Sequence, residues 1–227
     1  MKKDIQFGFS VVIAFAAYYL MKEWFFSSIY HSITAFSGSK IIAYLISYLT
    51  IGTPLFLGVL IHFKNSFFSS LGLDKSFLLA LLAAFILTSP MLIGYAIMYP
   101  FNNEVTTFGI VRGALFAAFF EEVYFRGFFF GLLFRFTRLG FIASILLGAL
   151  TFASFHLYQS NDPVVMTGIF ITTLLGAGLF AWTYIEWNNN LWVSIHLHLL
   201  MNLYWMLFSA GDNALGGLTS NIFRGLT

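Results

Sequence analysis

The residues best able to do chemistry in this sequence are acids, a base and imidazoles set in surroundings that should exclude them. Residues 119–127 read Phe-Phe-Glu-Glu-Val-Tyr-Phe-Arg-Gly, which puts Glu121, Glu122 and Arg126 inside a phenylalanine-rich stretch. Further on come Phe152 and His156 at the two ends of Phe-Ala-Ser-Phe-His, and then His198 and Asn202 in His-Leu-Leu-Met-Asn. An ionisable side chain at the centre of a bilayer costs at least ~2.5–3.5 kcal/mol. Three on one segment therefore demand compensation or a function. A carboxylate and imidazoles can act as general bases, ligate a metal or relay protons. A carboxamide and an imidazole can donate to a developing oxyanion.

Glu122 and Arg126 are spaced i, i+4 with the acid on the N-terminal side, the better order for a helical ion pair. Glu121 projects ~100° away around the helix, which frees its carboxylate to face an interior cavity. Taken alone, such a set can be a buried ion pair that keeps helices in register, with Glu121 silent. His156, near the end of its apolar segment, can likewise be a structural hydrogen-bonder. Its depth argues for more, because Glu121 lies 14 residues before Arg135 and His156 lies 15 after Phe141. At ~1.5 Å per residue, an antiparallel helix pair would bring both to one level, ~21–23 Å from the turn between them. His198 and Asn202 again stand i, i+4 and share a face, while His196 points elsewhere.

The elements that must carry these residues are membrane helices. Of the 227 residues, 59% are hydrophobic and 9% charged, whereas a soluble domain is about one quarter charged. Windows of the ~20 apolar residues needed to cross ~30 Å of hydrocarbon fall at roughly 5–21, 41–63, 77–99, 108–134, 141–159, 164–186 and 191–209. The expected fold is all-α, a polytopic transmembrane helical bundle of seven spans, or eight if the apolar stretch 24–36 forms a separate interfacial or half-inserted helix. Pro54 and Pro90, inside spans, predict kinks. No polar block, linker or repeat divides the chain, so residues 1–227 read as a single transmembrane domain. Residues 1–4 followed by an apolar run have the charge order of a secretory signal. No small-residue cleavage site follows Leu20, so the segment reads as a retained first helix.

The remaining composition excludes function classes. The formal net charge is +2 and the Lys and Arg are scattered, so there is no basic stripe for nucleic acid. The absence of cysteine excludes disulfides, thiolate metal sites and a Cys nucleophile. With the N-terminus inside, Lys2, Lys3, Lys64, Lys75, Arg135 and Arg138 fall on the cytoplasmic side, and Lys22, Lys40, Arg112 and Arg224 on the other. Gly127 with Gly131, and the run Gly176-Ala177-Gly178, predict close helix approach, a dimerising face on the first pair being the alternative.

In this order and on separate hydrophobic helices, Glu121-Glu122-x-x-x-Arg126, Phe152-x-x-x-His156 and His198-x-x-x-Asn202 resemble the CPBP family, which includes the type II CAAX prenyl endopeptidases and bacterial proteins of bacteriocin processing and self-immunity. The resemblance spans about residues 108–209, with residues 190–195, Asn-Leu-Trp-Val-Ser-Ile, similar to the entry to the family's last motif. Met201 stands where a second Asn often precedes the motif's Asn. The resemblance implies a helical intramembrane protease in which Glu121 and His156 activate water and His198 and Asn202 stabilise the oxyanion. Glu122 and Arg126 are assigned to holding the site's shape. A glutamic mechanism with no cofactor is favoured. The alternative is a zinc held by Glu121, His156 and His198, a two-imidazole, one-carboxylate set with an open position, although the His-Glu-x-x-His signature is absent. The implied substrate is a peptide or protein, lipid-modified or membrane-anchored, although no segment reads as a prenyl pocket. Membrane lipid is the other expected partner and the bacterial cytoplasmic membrane the expected location. The rival readings are a catalytically silent membrane scaffold or immunity protein, and an ion-coupled transporter. The lack of an inverted repeat and the small number of spans argue against the last.

Overall fold

A computed structural model describes residues 2–211 and 213–227, the side chains of Lys2 and Lys3 excepted. Those two lysines, counted above toward the cytoplasmic side, thus lie outside the described side chains. The described chain is a bundle of helices with no strand. Helix α1 (Lys2–Ser37) is followed by α2 (Lys40–Ile51), α3 (Thr53–Phe63), the short α4 (Phe67–Leu71) and α5 (Phe77–Met98). Helix α6 runs over 107–136, and α7 (Gly140–Ser154), α8 (Pro163–Glu186), α9 (Leu191–Leu207) and α10 (Leu218–Gly225) complete the chain.

Several of these helices begin where a side chain meets the first free backbone N–H groups. Ser39 accepts from Ile42 N, Ser76 from Leu79 N, Thr106 from Gly109 N and Asn190 from Trp192 N. Asp162 accepts from both Val164 N and Val165 N, with Pro163 at the first helical position.

Helix α6 departs from the uniform α-helix expected of the fourth apolar window. Its α-helical start (Thr107–Ile110) gives way to a π-helical stretch (Val111–Phe116), a short α-helical piece (Ala117–Glu121), a second π-helical stretch (Glu122–Phe130) and an α-helical end (Gly131–Phe136). Such widened turns concentrate at functional sites, and here the second one begins at Glu122. Every residue from 122 to 133 is buried, so α6 is the hub of the bundle. Phe15 of α1 stacks on Phe129 at 4.2 Å, Tyr48 of α2 on Phe120 at 4.7 Å, and Phe152 of α7 meets Phe125 edge-on at 5.0 Å.

The outer faces carry Ile61, Leu78, Ile97 and Leu175, each at least 68% exposed. An apolar belt of this extent is a liability in water and the ordinary outer face of a membrane bundle. The chain is an integral membrane protein.

The span count is lower than expected. Among the described residues, four helical segments are long and apolar enough to cross a membrane: Asp4–Ser37, Phe77–Met98, Gly140–Gln159 and Pro163–Glu186. A fifth is made by Lys40–Ile51 with Thr53–Leu71 if that pair, bent by 50°, is one span. The windows 108–134 and 191–209 do not qualify. Helix α6 is broken by π-turns and holds Arg112, Glu121, Glu122, Arg126 and Arg135, and α9 has only 17 residues. The separate helix allowed for at 24–36 is also corrected: α1 continues unbroken to Ser37. The expected kink near Pro54 takes the form of the break at Gly52, where a Cβ would lie 2.2 Å from the Tyr124 hydroxyl. Pro90 sits within a continuous α5.

Two ends of the bundle can be told apart. At one, Arg138 pairs with Asp4 at 3.1 Å and Arg135 donates to Ser70 O at 2.8 Å and to the Tyr184 hydroxyl at 3.0 Å. The same end is tied by Leu191 N to Gly72 O at 3.0 Å, Trp192 Nε1 to Leu73 O at 3.1 Å and Asn190 Nδ2 to Ser76 O at 3.2 Å. At the other, Asn102 N donates to Leu207 O at 2.7 Å and Ala214 N to Gln159 Oε1 at 2.8 Å.

Candidate active site

Glu121 and Glu122 are adjacent on α6 but sit in different surroundings. Glu122 is fully buried, whereas the Glu121 side chain is 25% exposed. Between them lies His198 of α9. Its Nδ1 is 2.8 Å from Glu122 Oε1 and its Nε2 is 4.0 Å from Glu121 Oε2. A carboxylate oxygen can only accept, so Nδ1–H is the donor, which orients the ring and aims Nε2 at Glu121. Glu122 Oε1 is in turn 3.2 Å from Arg126 Nη1. The result is a polar chain Glu121, His198, Glu122, Arg126 drawn from two helices.

Arg126 is 2% exposed, and its guanidinium lies over the Phe152 ring at 4.0 Å and the Phe180 ring at 5.6 Å. Aromatic faces from α7 and α8 thus enclose a cation whose only carboxylate contact among the described residues is Glu122. Phe180 also stacks on His198, with centroids 5.5 Å apart and planes at 29°.

His156 follows the last turn of α7. Its Nδ1 is 2.8 Å from Phe152 O, and because a carbonyl only accepts, Nδ1–H donates there. In the neutral ring this leaves Nε2 with its lone pair. The ring packs on Phe152 at 4.4 Å and interacts electrostatically with Glu121, His198 and Arg126. Asn202, one turn after His198, donates from Nδ2 to Gly113 O at 3.0 Å, linking α9 to the first π-helical stretch of α6. Its second amide hydrogen and its Oδ1 have no protein partner among the described residues.

The structure therefore brings Glu121, Glu122, Arg126 and His198 into one polar chain, with His156 joined to it through Phe152, on which both His156 and Arg126 pack, and with Asn202 a turn away on the face of α9 that carries His198. His196 stands apart, 3% exposed, between Phe77 at 4.6 Å and Trp192 at 5.9 Å. Among the described residues, no three His, Asp or Glu side chains are grouped so as to hold a metal ion, and this includes the zinc set Glu121, His156 and His198.

Sequence reasoning missed the aromatic half of the site. Phe152 entered only as a motif boundary, yet it supplies both the face under Arg126 and the carbonyl that orients His156. Phe180 is one of 30 phenylalanines, with no neighbouring polar residue to single it out. Gly127 and Gly131 face inward: a Cβ on Gly127 would meet Leu191 at 2.9 Å, and one on Gly131 would meet Tyr184 at 3.2 Å. Both serve packing within the bundle.

Residues 102–204 match the family model described as type II CAAX prenyl endopeptidase Rce1-like. No curated protein and no solved structure matches the chain. The matched stretch runs from just before α6 into α9 and contains all six residues of the candidate site.

Proposed function

From the premise that this chain belongs, through residues 102–204, to the type II CAAX prenyl endopeptidase Rce1-like family, we propose that it is an intramembrane endopeptidase hydrolysing a peptide bond near the membrane surface with a Glu/His-activated water. The observation that carries the reading is the asymmetry of the acid pair. Glu122 is committed to His198 and Arg126, while Glu121 is partly open and makes no hydrogen bond among the described residues.

In this mechanism Glu121 takes a proton from water, with the unprotonated Nε2 of His156 as the second base in the same space. The water oxygen bonds to the scissile carbonyl carbon and the carbonyl electron pair moves onto oxygen. The donors proposed for that oxygen are the spare amide hydrogen of Asn202 and, in the doubly protonated ring, the Nε2–H of His198. The proton held by Glu121 then passes to the leaving amine as the C–N bond breaks. Glu122 and Arg126 take no proton; they hold His198 in register. We take the reaction as metal-independent, since His198 Nδ1 is engaged by Glu122 and the remaining donors do not form a three-ligand group. The proposed substrate is a membrane-anchored or lipid-modified peptide or protein, and the proposed setting a bacterial cytoplasmic membrane.

The test compares wild type with Glu121→Gln and His156→Ala, both in cells and purified into nanodiscs. Each variant should abolish cleavage of a membrane-proximal peptide while keeping the wild-type thermal transition. One precursor should accumulate in the membrane proteome of the Glu121→Gln strain. Undiminished cleavage by either folded variant refutes the water activation, and loss of wild-type cleavage in EDTA refutes the metal-free form.

A further inference from the structure

Helices α5 and α8 each pack against α9 and leave a groove between them, of about 220 Å³. Leu87 of α5 forms one wall, Phe180 and Trp182 of α8 the other, and α9 supplies Leu197 to the floor. Leu87 and Trp182 are 39% and 49% exposed, so the groove opens outward. Both walls belong to segments long and apolar enough to cross a membrane. What lies outside them is therefore hydrocarbon. An apolar cavity of ~150 Å³ in a protein core stays dry and takes up benzene, and this one is larger.

One end of the groove is different. Glu186, the last residue of α8, lines it, is exposed, and makes no ion pair or hydrogen bond among the described residues. It is the only ionisable side chain in the lining. Trp187, the next residue, lines the same end, and tryptophan settles at the membrane–water interface. Leu87 lies ten residues after Phe77 at the start of α5, which puts it ~15 Å from the end of the bundle where α5 begins. That end also holds Glu186, since Asn190, which follows it, donates to Ser76 O at 3.2 Å. The groove thus runs from a carboxylate at the surface to an apolar depth. Phe180 lines it and stacks on His198, so the groove adjoins the polar chain of the site without containing any of its charged residues.

We propose that this groove is a binding site for a phospholipid with an amine headgroup, one acyl chain lying along Leu87 and Phe180 and the ammonium at Glu186. A phospholipid separates charge and chain in the way the lining does, with the charge at the surface and the chain in depth. The carboxylate sets the sign of the headgroup: it attracts an ammonium and repels a headgroup whose only charge is its phosphate. This binding does not depend on the peptidase reading.

The test uses native mass spectrometry of the full chain released from nanodiscs of equimolar phosphatidylethanolamine and phosphatidylglycerol. Wild type should retain one phospholipid, with a preference of about two- to fivefold for phosphatidylethanolamine, the size of an exposed ion pair. Glu186→Gln should hold the two lipids equally. Leu87→Trp, which fills the groove, should release the lipid, while Leu78→Trp, on the same helix and 74% exposed outside the groove, should keep it. A second readout needs no variant: at one low fraction in the bilayer, phosphatidylethanolamine with brominated chains should quench tryptophan emission more than phosphatidylglycerol with the same chains, through Trp182. Equal quenching overturns the inference, as does a wild type that retains no lipid or retains both alike. Lipid still bound to a folded Leu87→Trp also overturns it. A lipid-free dimer would assign the groove to a second copy of the chain, and release of the lipid by an equimolar acylated peptide would assign it to substrate; either result overturns the proposal.

Discussion

His198 is held between two carboxylates of unequal freedom, and the one it bonds at 2.8 Å through Nδ1, Glu122, also carries the charge of Arg126. All three are buried, so their charges are worth far more to one another than on a surface. Removing one partner strands the other. Glu122→Gln, nearly the same shape, takes from Arg126 the carboxylate it is paired with and should cost ~3–5 kcal/mol of stability, read as a lower unfolding midpoint in a denaturing detergent titration. Adding Arg126→Met to that variant should recover part of the loss, because a neutral pair replaces a lone charge. Activity should not return with it, since an amide oxygen holds His198 Nδ1–H by a weaker, uncharged hydrogen bond than the carboxylate does. Recovery of both together would mean that the pair serves stability alone. At this scale the spacing Glu-Glu-x-x-x-Arg was enough to foresee the ion pair, and the i, i+4 spacing of His198 and Asn202 their shared face. That Glu122 also accepts a hydrogen bond from His198 Nδ1–H was not legible, because the contact joins residues 76 apart in sequence.

Among the elements, α9 carries His198 and Asn202, and its first turn is moored by the turn that follows α4. Gly72 ends α4 with a φ of 80°, its carbonyl accepts from Leu191 N at 3.0 Å, and a Cβ there would lie 2.1 Å from Asn189 O. Only glycine fits, for reasons of both conformation and space. Gly72→Ala should therefore lower stability by about 1–3 kcal/mol and depress cleavage, as the start of α9 shifts relative to α6. Gly38 offers a control, with a φ of 67° and nothing within 4 Å of its added Cβ. Gly38→Ala should pay only the conformational cost and keep full activity, so equal effects from the two would contradict the mooring role. Element reading from the apolar windows located α5 and α8 closely. It missed the π-turns of α6, whose widened turns leave no periodicity that a run of Phe, Val and Ala can display.

At the scale of the whole molecule, the end that gathers Lys64, Lys75, Arg135 and Arg138 is opposite the end where Tyr158 and the end of α7 border the site. Positive loops are retained on the cytoplasmic side, so the opening toward Glu121 should face away from it. The chain has no cysteine, which makes the experiment clean. In sealed right-side-out vesicles, Ser66→Cys should resist a membrane-impermeant maleimide and Asn161→Cys should react. Both positions are exposed, and the reverse pattern would turn the bundle over. Topology also explains the misjudged span number. The two windows that fail as spans, 108–134 and 191–209, are those that hold Glu121, Glu122, Arg126, His198 and Asn202, since a helix buried at the hub can tolerate charges and a short length that a lipid-facing one cannot.

Composition, hydrophobic runs and the spacing of a few polar residues determined by themselves that this is a helical membrane protein with an acid, two imidazoles and a carboxamide to account for. These are local properties, since solvent preference is summed along a segment and a shared helix face follows from residues three or four apart. Only the tertiary structure decided which glutamate is spent and which is partly open, and that Phe152 and Phe180 enclose the arginine. Each depends on a meeting of residues far apart in the chain, among phenylalanines that look alike in sequence. Their differences arise only where the helices cross.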